Sequence, residues 1–471
     1  MSSNPQSAIH HPQYSRRTML AGCSAGIGTL ALASLLAEER LLAAGSNGEP
    51  VAPSPRATAK RVIFLFMGGG PSQVDTFDPK PLLNELHGKS VPESIAASIP
   101  RIARAPLENL SGSKFKFQRH GQSGLEISEL FPHVARCADD LCVLRSLKHD
   151  SPIHAPAEFI ATTGTGIGDR PSLGAWLYYG LGSENRDLPG YIVMKSGETL
   201  RPPTIAAGFL PARYQGTLVD GETGIPNLET PDGTSARQRR GQLDLLRRLN
   251  EKHLSRHGGD SALEARIQAY ELSYRMQMAA PEAFDLSQET AETHALYGLE
   301  SKDTAEFGKY CLWARRLVER GVRFITLRSG GWDAHESVPE NHGKQCLATD
   351  QPIAALLTDL KRRGLFSETL VIWGGEFGRT PAAQGSKGGR DHSPSGYSMW
   401  LAGGGVRGGQ VIGATDPVGY AAIERPIHPN DLHATILHAL GIDQRELSYL
   451  HHNRREMVTV NGGDVIGEVF G

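Results

Sequence analysis

Cysteine is scarce in this sequence: five in 471 residues, with no C-x-x-C pair among them. That scarcity excludes zinc fingers and thioredoxin-type redox sites. Setting aside Cys23 leaves Cys137, Cys142, Cys311 and Cys346. One disulfide is possible in an oxidising compartment, with Cys137 and Cys142 the nearest pair, and buried thiols are a reading of at least equal weight. Neither sign of charge is in excess, since 49 Lys and Arg face 51 Asp and Glu. A nucleic-acid partner requires a basic face, so none is expected. The glycines after the apolar run Arg61–Met67 open neither a G-x-G-x-x-G nor a GK[ST] motif, and no haem motif occurs, which argues against an oxidoreductase. A permanent membrane span is also missing: the run up to Ala37 is broken by glycines and ends in Glu38-Glu39-Arg40.

The N-terminus carries an address. Ser15-Arg16-Arg17-Thr18-Met19-Leu20 matches a twin-arginine signal, so residues 1–45 read as a signal peptide cut after Ala33 or near Ala44. Leu20-Ala21-Gly22-Cys23 has the look of a lipoprotein box, but it precedes the apolar run instead of following it. Its Cys is read as chance. The expected partner here is the twin-arginine export machinery, and the expected location is periplasmic or secreted. Residues 46–60, with VAPSPRATAK at their end, read as a linker. Residues 61–471 then form a single domain, with a loop and helical insertion over 200–300.

Hydrophobic content of 39% supports a sizeable core, and 54 glycines and 29 prolines indicate many loops. Apolar strand-like runs lie at Arg61–Met67, Leu141–Leu147, Tyr191–Met194, Val322–Leu327, Leu370–Trp373, Ser398–Leu401 and Gln410–Ile412. Phe131–Cys137 is an amphipathic patch, and residues 200–235 are a Pro/Gly-rich loop. Helical spacing marks Ser172–Leu181, Arg237–Met278 around a His257-Gly258-Gly259 break, Thr304–Arg320, Asn341–Arg363 and Asp431–Leu440. The alternation predicts a doubly wound, mainly parallel α/β sheet with helices on both faces.

Chemistry-bearing residues follow the strands, where ligand crevices form in such sheets. After Arg61–Met67 come Gly68-Gly69-Gly70, Asp75 and Asp78; after Leu141–Leu147 come His149, Ser151 and His154. Val322–Leu327 leads to Trp332-Asp333-Ala334-His335, and Leu370–Trp373 leads to Glu376, Arg379, Arg390, Asp391 and His392. Carboxylates and imidazoles are the usual ligands of divalent ions. Asp75, Asp78, Asp333, His335, Glu376, Asp391 and His392 are therefore the metal candidates, for one or two ions of zinc, manganese or calcium. A single DxH is more often a turn Asp beside a surface His; four such groups at strand ends argue for a site. Arg379 and Arg390 read either as oxyanion holders or as salt-bridge partners of Glu376 or Asp391. Trp332 reads as site wall or as core. His433, His438, His451 and His452 read as surface or capping residues.

The order GGGPSQVDTFDPK, HDSPIHAPAEFIATTG, GGWDAH, GGEFGRT and GRDH resembles the domain-of-unknown-function 1501 family, exported proteins of the alkaline-phosphatase/sulfatase superfamily. The likeness runs from about Arg61 to Asp443. It implies a doubly wound core with a metal site beside a phosphate- or sulfate-ester pocket. Members of the superfamily end the first strand with a metal-binding Asp; glycines stand there here, leaving Asp75 or Asp78 as substitutes. Their nucleophile lies ten residues before a helix-closing Gly, and counting back from Gly164 reaches His154 rather than Ser151. No C-x-P-x-R exists, which argues against a formylglycine sulfatase. Glu376-Phe377 stands where many relatives have Asp-His, so the implied metal site is altered. Asp333/His335 and Asp391-His392 resemble the remaining ligand loops.

The expected function is an exported metal-dependent hydrolase of phosphate or sulfate esters, acting on a small molecule or a polysaccharide. The metal polarises the ester and activates a water, or His154 serves as nucleophile or acid/base; Ser151 is a further nucleophile candidate or simply a helix-start residue, and Arg379 neutralises developing charge. The alternative is a non-catalytic protein of the same fold that binds sulfated or phosphorylated glycans.

Overall fold

The apolar run Arg61–Met67 becomes strand β1, whose pleat sends Val62, Phe64 and Phe66 to one face and Ile63, Leu65 and Met67 to the other, all at most 4% exposed. A strand buried on both faces belongs at the centre of a parallel sheet. In the computed structural model, residues 54, 57–97, 99–100, 106–197, 200–219, 221, 224–225, 235–257, 261–460 and 462–471 are described. The twin-arginine segment, its cleavage points, Cys23 and most of the 46–60 linker lie outside them.

Seven further strands join β1: β2 (Cys142–Leu147), β3 (Tyr191–Ser196), β4 (Thr217–Val219), β5 (Phe324–Ser329), β6 (Thr369–Gly374), β7 (Tyr397–Ala402) and β8 (Gln410–Ile412). Their order is β8-β2-β7-β6-β1-β5-β3-β4. Only β7 runs against its neighbours, β6 and β2. Met67 pairs with Ser329, and Phe66 with Gly374. The carboxyl ends of β1, β5 and β6 are therefore level, and the loops after them open at one edge. Tyr397, the first residue of β7, pairs with Leu147, the last of β2, at that same edge.

The longer helices are α1 (His154–Thr163), α2 (Leu173–Leu181), α3 (Ala236–His257), α4 (Ser261–Phe284), α5 (Ala305–Glu319), α6 (Val338–Arg362) and α7 (Pro429–Ala439). Side chains of α4, α5 and α6 pack on the Ile63 face, and those of α2 and α7 on the Phe64 face. This is the doubly wound α/β arrangement, with one hydrophobic layer on each side of the sheet.

Several expectations need correction. Residues 200–235 are not only loop: Thr217–Val219 adds a parallel edge strand to β3. The end of the linker is fixed, because Thr58 and Ala59 N–H donate to the Ala439 carbonyl at 2.9 and 2.8 Å. Phe131–Cys137 overlaps a 3-10 helix, Val134–Asp140, that is buried on one side. Of the two readings for Cys137 and Cys142 the buried thiols hold: both are free and buried, and burial pushes their pKa values up to about 11 and about 12. His433 is core rather than surface: it is 1% exposed, with Nε2 bonded to the Ala161 carbonyl at 2.9 Å.

Candidate metal centre

The segment after β5 is anchored by Trp332, which is fully buried and edge-on to Trp373 and His342. Its backbone N–H donates to the Gly68 carbonyl at 3.2 Å. Around that anchor the side chains alternate: Trp332 and Ala334 point inward, while Asp333 and His335 are 42% and 36% exposed. The glycines ending β1 make this approach possible. Gly69 adopts φ +113°, and a Cβ there would sit 2.5 Å from the Asp333 nitrogen. Any larger residue there would push the Asp333 loop away.

Two more loops bring histidines to Asp333. His392 lies in a short antiparallel pair with Arg379 just before β7, and its Nε2 stands 3.2 Å from Asp333 Oδ1. His154 is the first residue of α1, with Nε2 3.2 Å from Asp333 Oδ2. His335 Nε2 is 2.9 Å from Asp333 Oδ1. The four ligand atoms all lie within 4.8 Å of one another. With metal–ligand distances of about 2.0–2.2 Å, the edges of a tetrahedral site are about 3.3–3.6 Å, close to these separations.

Behind the cluster, each imidazole is held by its other nitrogen. His154 Nδ1 meets Glu376 Oε1 at 2.7 Å, His335 Nδ1 meets Gln384 Oε1 at 2.6 Å, and His392 Nδ1 meets the Pro152 carbonyl at 2.7 Å. All three partners are acceptors, so each Nδ1 carries the proton and each Nε2 presents its lone pair to the centre. Three lone pairs and a carboxylate facing one another repel unless a cation or protons lie between them. Without a metal, the proton goes to His154. Burial works to lower its pKa, but hydrogen bonds to Asp333 and Glu376 outweigh this and raise it to about 9. Burial also opposes ionisation of Asp333, yet His154, His392 and Arg379 hold its carboxyl well below the usual carboxylate range. The donor set therefore suits a divalent cation.

The remaining predicted residues sit elsewhere. Glu376 is fully buried behind His154, accepting from Gly69 N–H at 2.9 Å, and so orients a histidine instead of facing the centre. Asp391 Oδ1 accepts from the His392 N–H at 2.8 Å and lies 4.0 Å from His335 Nδ1. Asp75 and Asp78 are carried off by the helical turn Gln73–Thr76. Asp75 pairs with Arg390 at 2.9 Å, which overcomes the effect of burial and lowers its pKa. Asp78 pairs with Lys80 at 3.1 Å and accepts from Thr415. A buried carboxylate needs such a counter-charge.

The arginines are also committed inward. Arg379 is fully buried and donates to the Gly70 and Arg390 carbonyls at 3.0 and 3.1 Å, to the Gly69 carbonyl, and to Asp333 at 2.6 Å. Arg390 binds the Thr380 and Ser111 carbonyls besides Asp75. They tie the site loops together and leave no fork for an oxyanion. Ser151 hydrogen-bonds the backbone of Ile153 at 3.3 and 3.4 Å, outside the cluster. Sequence reasoning missed Gln384 and the Pro152 carbonyl; the spacing of His335 and His392 points at neither. It also missed His342 on α6, whose Nε2 accepts from Ser72 N–H at 2.8 Å and steadies the loop after β1.

The family model described as "Protein of unknown function (DUF1501)" matches residues 59–470. The chain belongs to the DUF1501 family. No curated protein matches it in sequence. Among solved structures, this DUF1501 protein is similar to the lipoteichoic acid synthase LtaP from Listeria monocytogenes, with 10% identity and TM-score 0.35 over 85% of this chain and 78% of that one. The PsFucS1 sulfatase from Pseudoalteromonas sp. follows at 15% identity and TM-score 0.33, covering 82% and 68%. A TAB5 alkaline phosphatase variant with magnesium bound gives 11% identity and TM-score 0.34, covering 82% and 99%. Likenesses this distant carry no argument, and the reading of the DUF1501 site rests on its own geometry.

Proposed function

We propose that this DUF1501 protein is an exported, metal-dependent hydrolase of phosphate or sulfate esters. One observation carries the proposal: three oriented imidazoles and Asp333 converge at a strand-end edge with Asp333 42% exposed to solvent. His154, Asp333, His335 and His392 would hold a single ion. Three nitrogen donors favour zinc or manganese, whereas calcium takes oxygen ligands. A bound ion there would polarise an ester oxygen and acidify a water. Within this reading His154 is a ligand and not a nucleophile, and Glu376, Gln384 and the Pro152 carbonyl fix the tautomers. Residues 1–45 would direct export through the twin-arginine machinery and 61–471 would form the domain. Among the described residues no helix is long and apolar enough to cross a membrane.

A second reading has its own support. Four protein donors complete a tetrahedron, which is the closed arrangement of structural zinc, and Arg379, Arg390 and Ser151 are all engaged with the protein itself. On that reading the protein binds sulfated or phosphorylated glycans without cleaving them. The two part on one assay. Turnover of 4-nitrophenyl phosphate, 4-nitrophenyl sulfate and sugar esters, abolished by chelation and restored by zinc or manganese, supports the hydrolase. Absence of turnover by metal-loaded protein, with glycan binding that survives chelation and Glu376→Ala, supports the binder.

A further inference from the structure

Arg379 puts a fixed positive charge directly beside the cation site. Its Nη2 is 2.6 Å from Oδ1 of Asp333, the one carboxylate of the cluster. The guanidinium cannot retreat: it is fully buried, with Nε donating to the Gly70 carbonyl at 3.0 Å and Nη1 to the Arg390 carbonyl at 3.1 Å. A divalent cation and a guanidinium with a single carboxylate between them repel, and burial strengthens that repulsion. A site built only to hold a structural ion gains nothing from such a neighbour.

The four side chains of the cluster are not equally fixed. Each imidazole is braced from behind on Nδ1, by Glu376, Gln384 or the Pro152 carbonyl, and turns away only by breaking that bond. Asp333 is held from the side instead. Its Oδ1 meets Arg379 as well as His335 Nε2 at 2.9 Å and His392 Nε2 at 3.2 Å. Its Oδ2 faces His154 Nε2 at 3.2 Å, and that buried nitrogen has no hydrogen-bond partner among the described residues. Asp333 is also the most exposed of the four side chains, at 42% against 36% for His335, 23% for His154 and 7% for His392. Solvent therefore reaches the centre on the Asp333 side.

We infer that Asp333 is the exchangeable ligand of this centre and that Arg379 is the positioning residue that receives it. With the carboxylate leaning on Arg379, three histidines keep the ion and one position opens to solvent for an oxyanion or a water. Arg379 neutralises Asp333 meanwhile, so the carboxylate does not repel the incoming anion. Removal of Asp333 would leave Arg379 facing the cation uncompensated, so exchange needs the carboxylate in place. The inference rests on the cation-site reading, and it gives the hydrolase reading the open position that a catalytic centre requires.

The test is visible spectroscopy of the full chain loaded with cobalt(II) and titrated with sodium azide and with inorganic phosphate. The parent is expected to show a saturable change in its d–d bands, which reports on the ligands of the ion independently of turnover. In Arg379→Gln the carboxylate is free to bind the ion and the opposing charge is gone. Cobalt affinity, read by competition with a chelator, is expected to rise about tenfold and azide affinity to fall about tenfold. Arg379→Lys, which keeps the charge, is expected to retain the azide response. An Arg379 that merely braces the loops would lower cobalt affinity in Arg379→Gln, and that result overturns the inference. If Arg379→Gln does not fold, the parent titration decides: bound cobalt whose bands ignore both anions defeats this inference alone. A parent that takes up no cobalt defeats the cation-site reading with it. Anion binding at the cobalt without cleavage of any ester supports the exchange and defeats the hydrolase reading alone.

Discussion

Glu376 shows how little a residue's type says about its role. As a carboxylate after a strand it reads as a ligand, yet it accepts from the Gly69 N–H and the His154 ring and faces away from the centre. Gln384 does for His335 what Glu376 does for His154, and nothing in its neighbourhood in sequence advertises this, because its partner is 49 positions away. Loss of such an orienting group typically costs 10–100-fold in metal affinity. Gln384→Ala is therefore expected to weaken zinc binding by about that factor in competition with a fluorescent chelator, while its melting temperature stays near that of the parent. The arginines predict the reverse pattern. Arg390→Met would strand a buried Asp75 carboxylate, and breaking a buried pair costs about 3–5 kcal/mol. Urea unfolding should show that loss. A variant of full stability would return Arg390 to the substrate-facing role first considered for it.

At the scale of elements, neutral histidines clamp the loops to the helices and strands. His149 bonds the Glu376 carbonyl at 2.6 Å, His342 accepts from Ser72 N–H, and His433 ties α7 to α1. Burial lowers their pKa values to about 4, about 3 and about 4 respectively. The unfolded chain, with His near about 6.5, binds protons that the folded state refuses. Stability from these three groups is complete above about pH 6.5 and declines as pH falls toward 4 and then 3. Chemical denaturation of the metal-free protein at pH 7 and pH 5 should show the lower midpoint at pH 5. For His342→Gln the difference between the two midpoints should shrink. An unchanged gap would mean His342 is protonated when folded.

Across the whole molecule, the strands and the doubly wound plan were legible because continuous apolar runs of β-branched and aromatic residues leave little choice once buried on both faces. The one antiparallel strand, β7, and the edge strand β4 were not, since pairing direction and edge position depend on partners far along the chain. The cluster was half legible. Asp333, His335 and His392, read as metal candidates, are brought together, and His154, read as nucleophile or acid/base, joins them. Asp75 and Asp78 looked equivalent to them, and only the turn Gln73–Thr76, with Arg390 waiting beside it, takes them away. Strand register is what selects: Met67 level with Ser329 and Phe66 level with Gly374 sets Gly69 against Asp333, and no local pattern encodes that.

The central claim is that His154, Asp333, His335 and His392 form one cation site. Elemental analysis of the purified protein, run beside Asp333→Ala and His392→Ala, tests it most directly. The account predicts one zinc or manganese per chain, lost from both variants while they remain folded by circular dichroism. A folded parent protein that takes up no divalent ion, or variants that keep it in full, would contradict it.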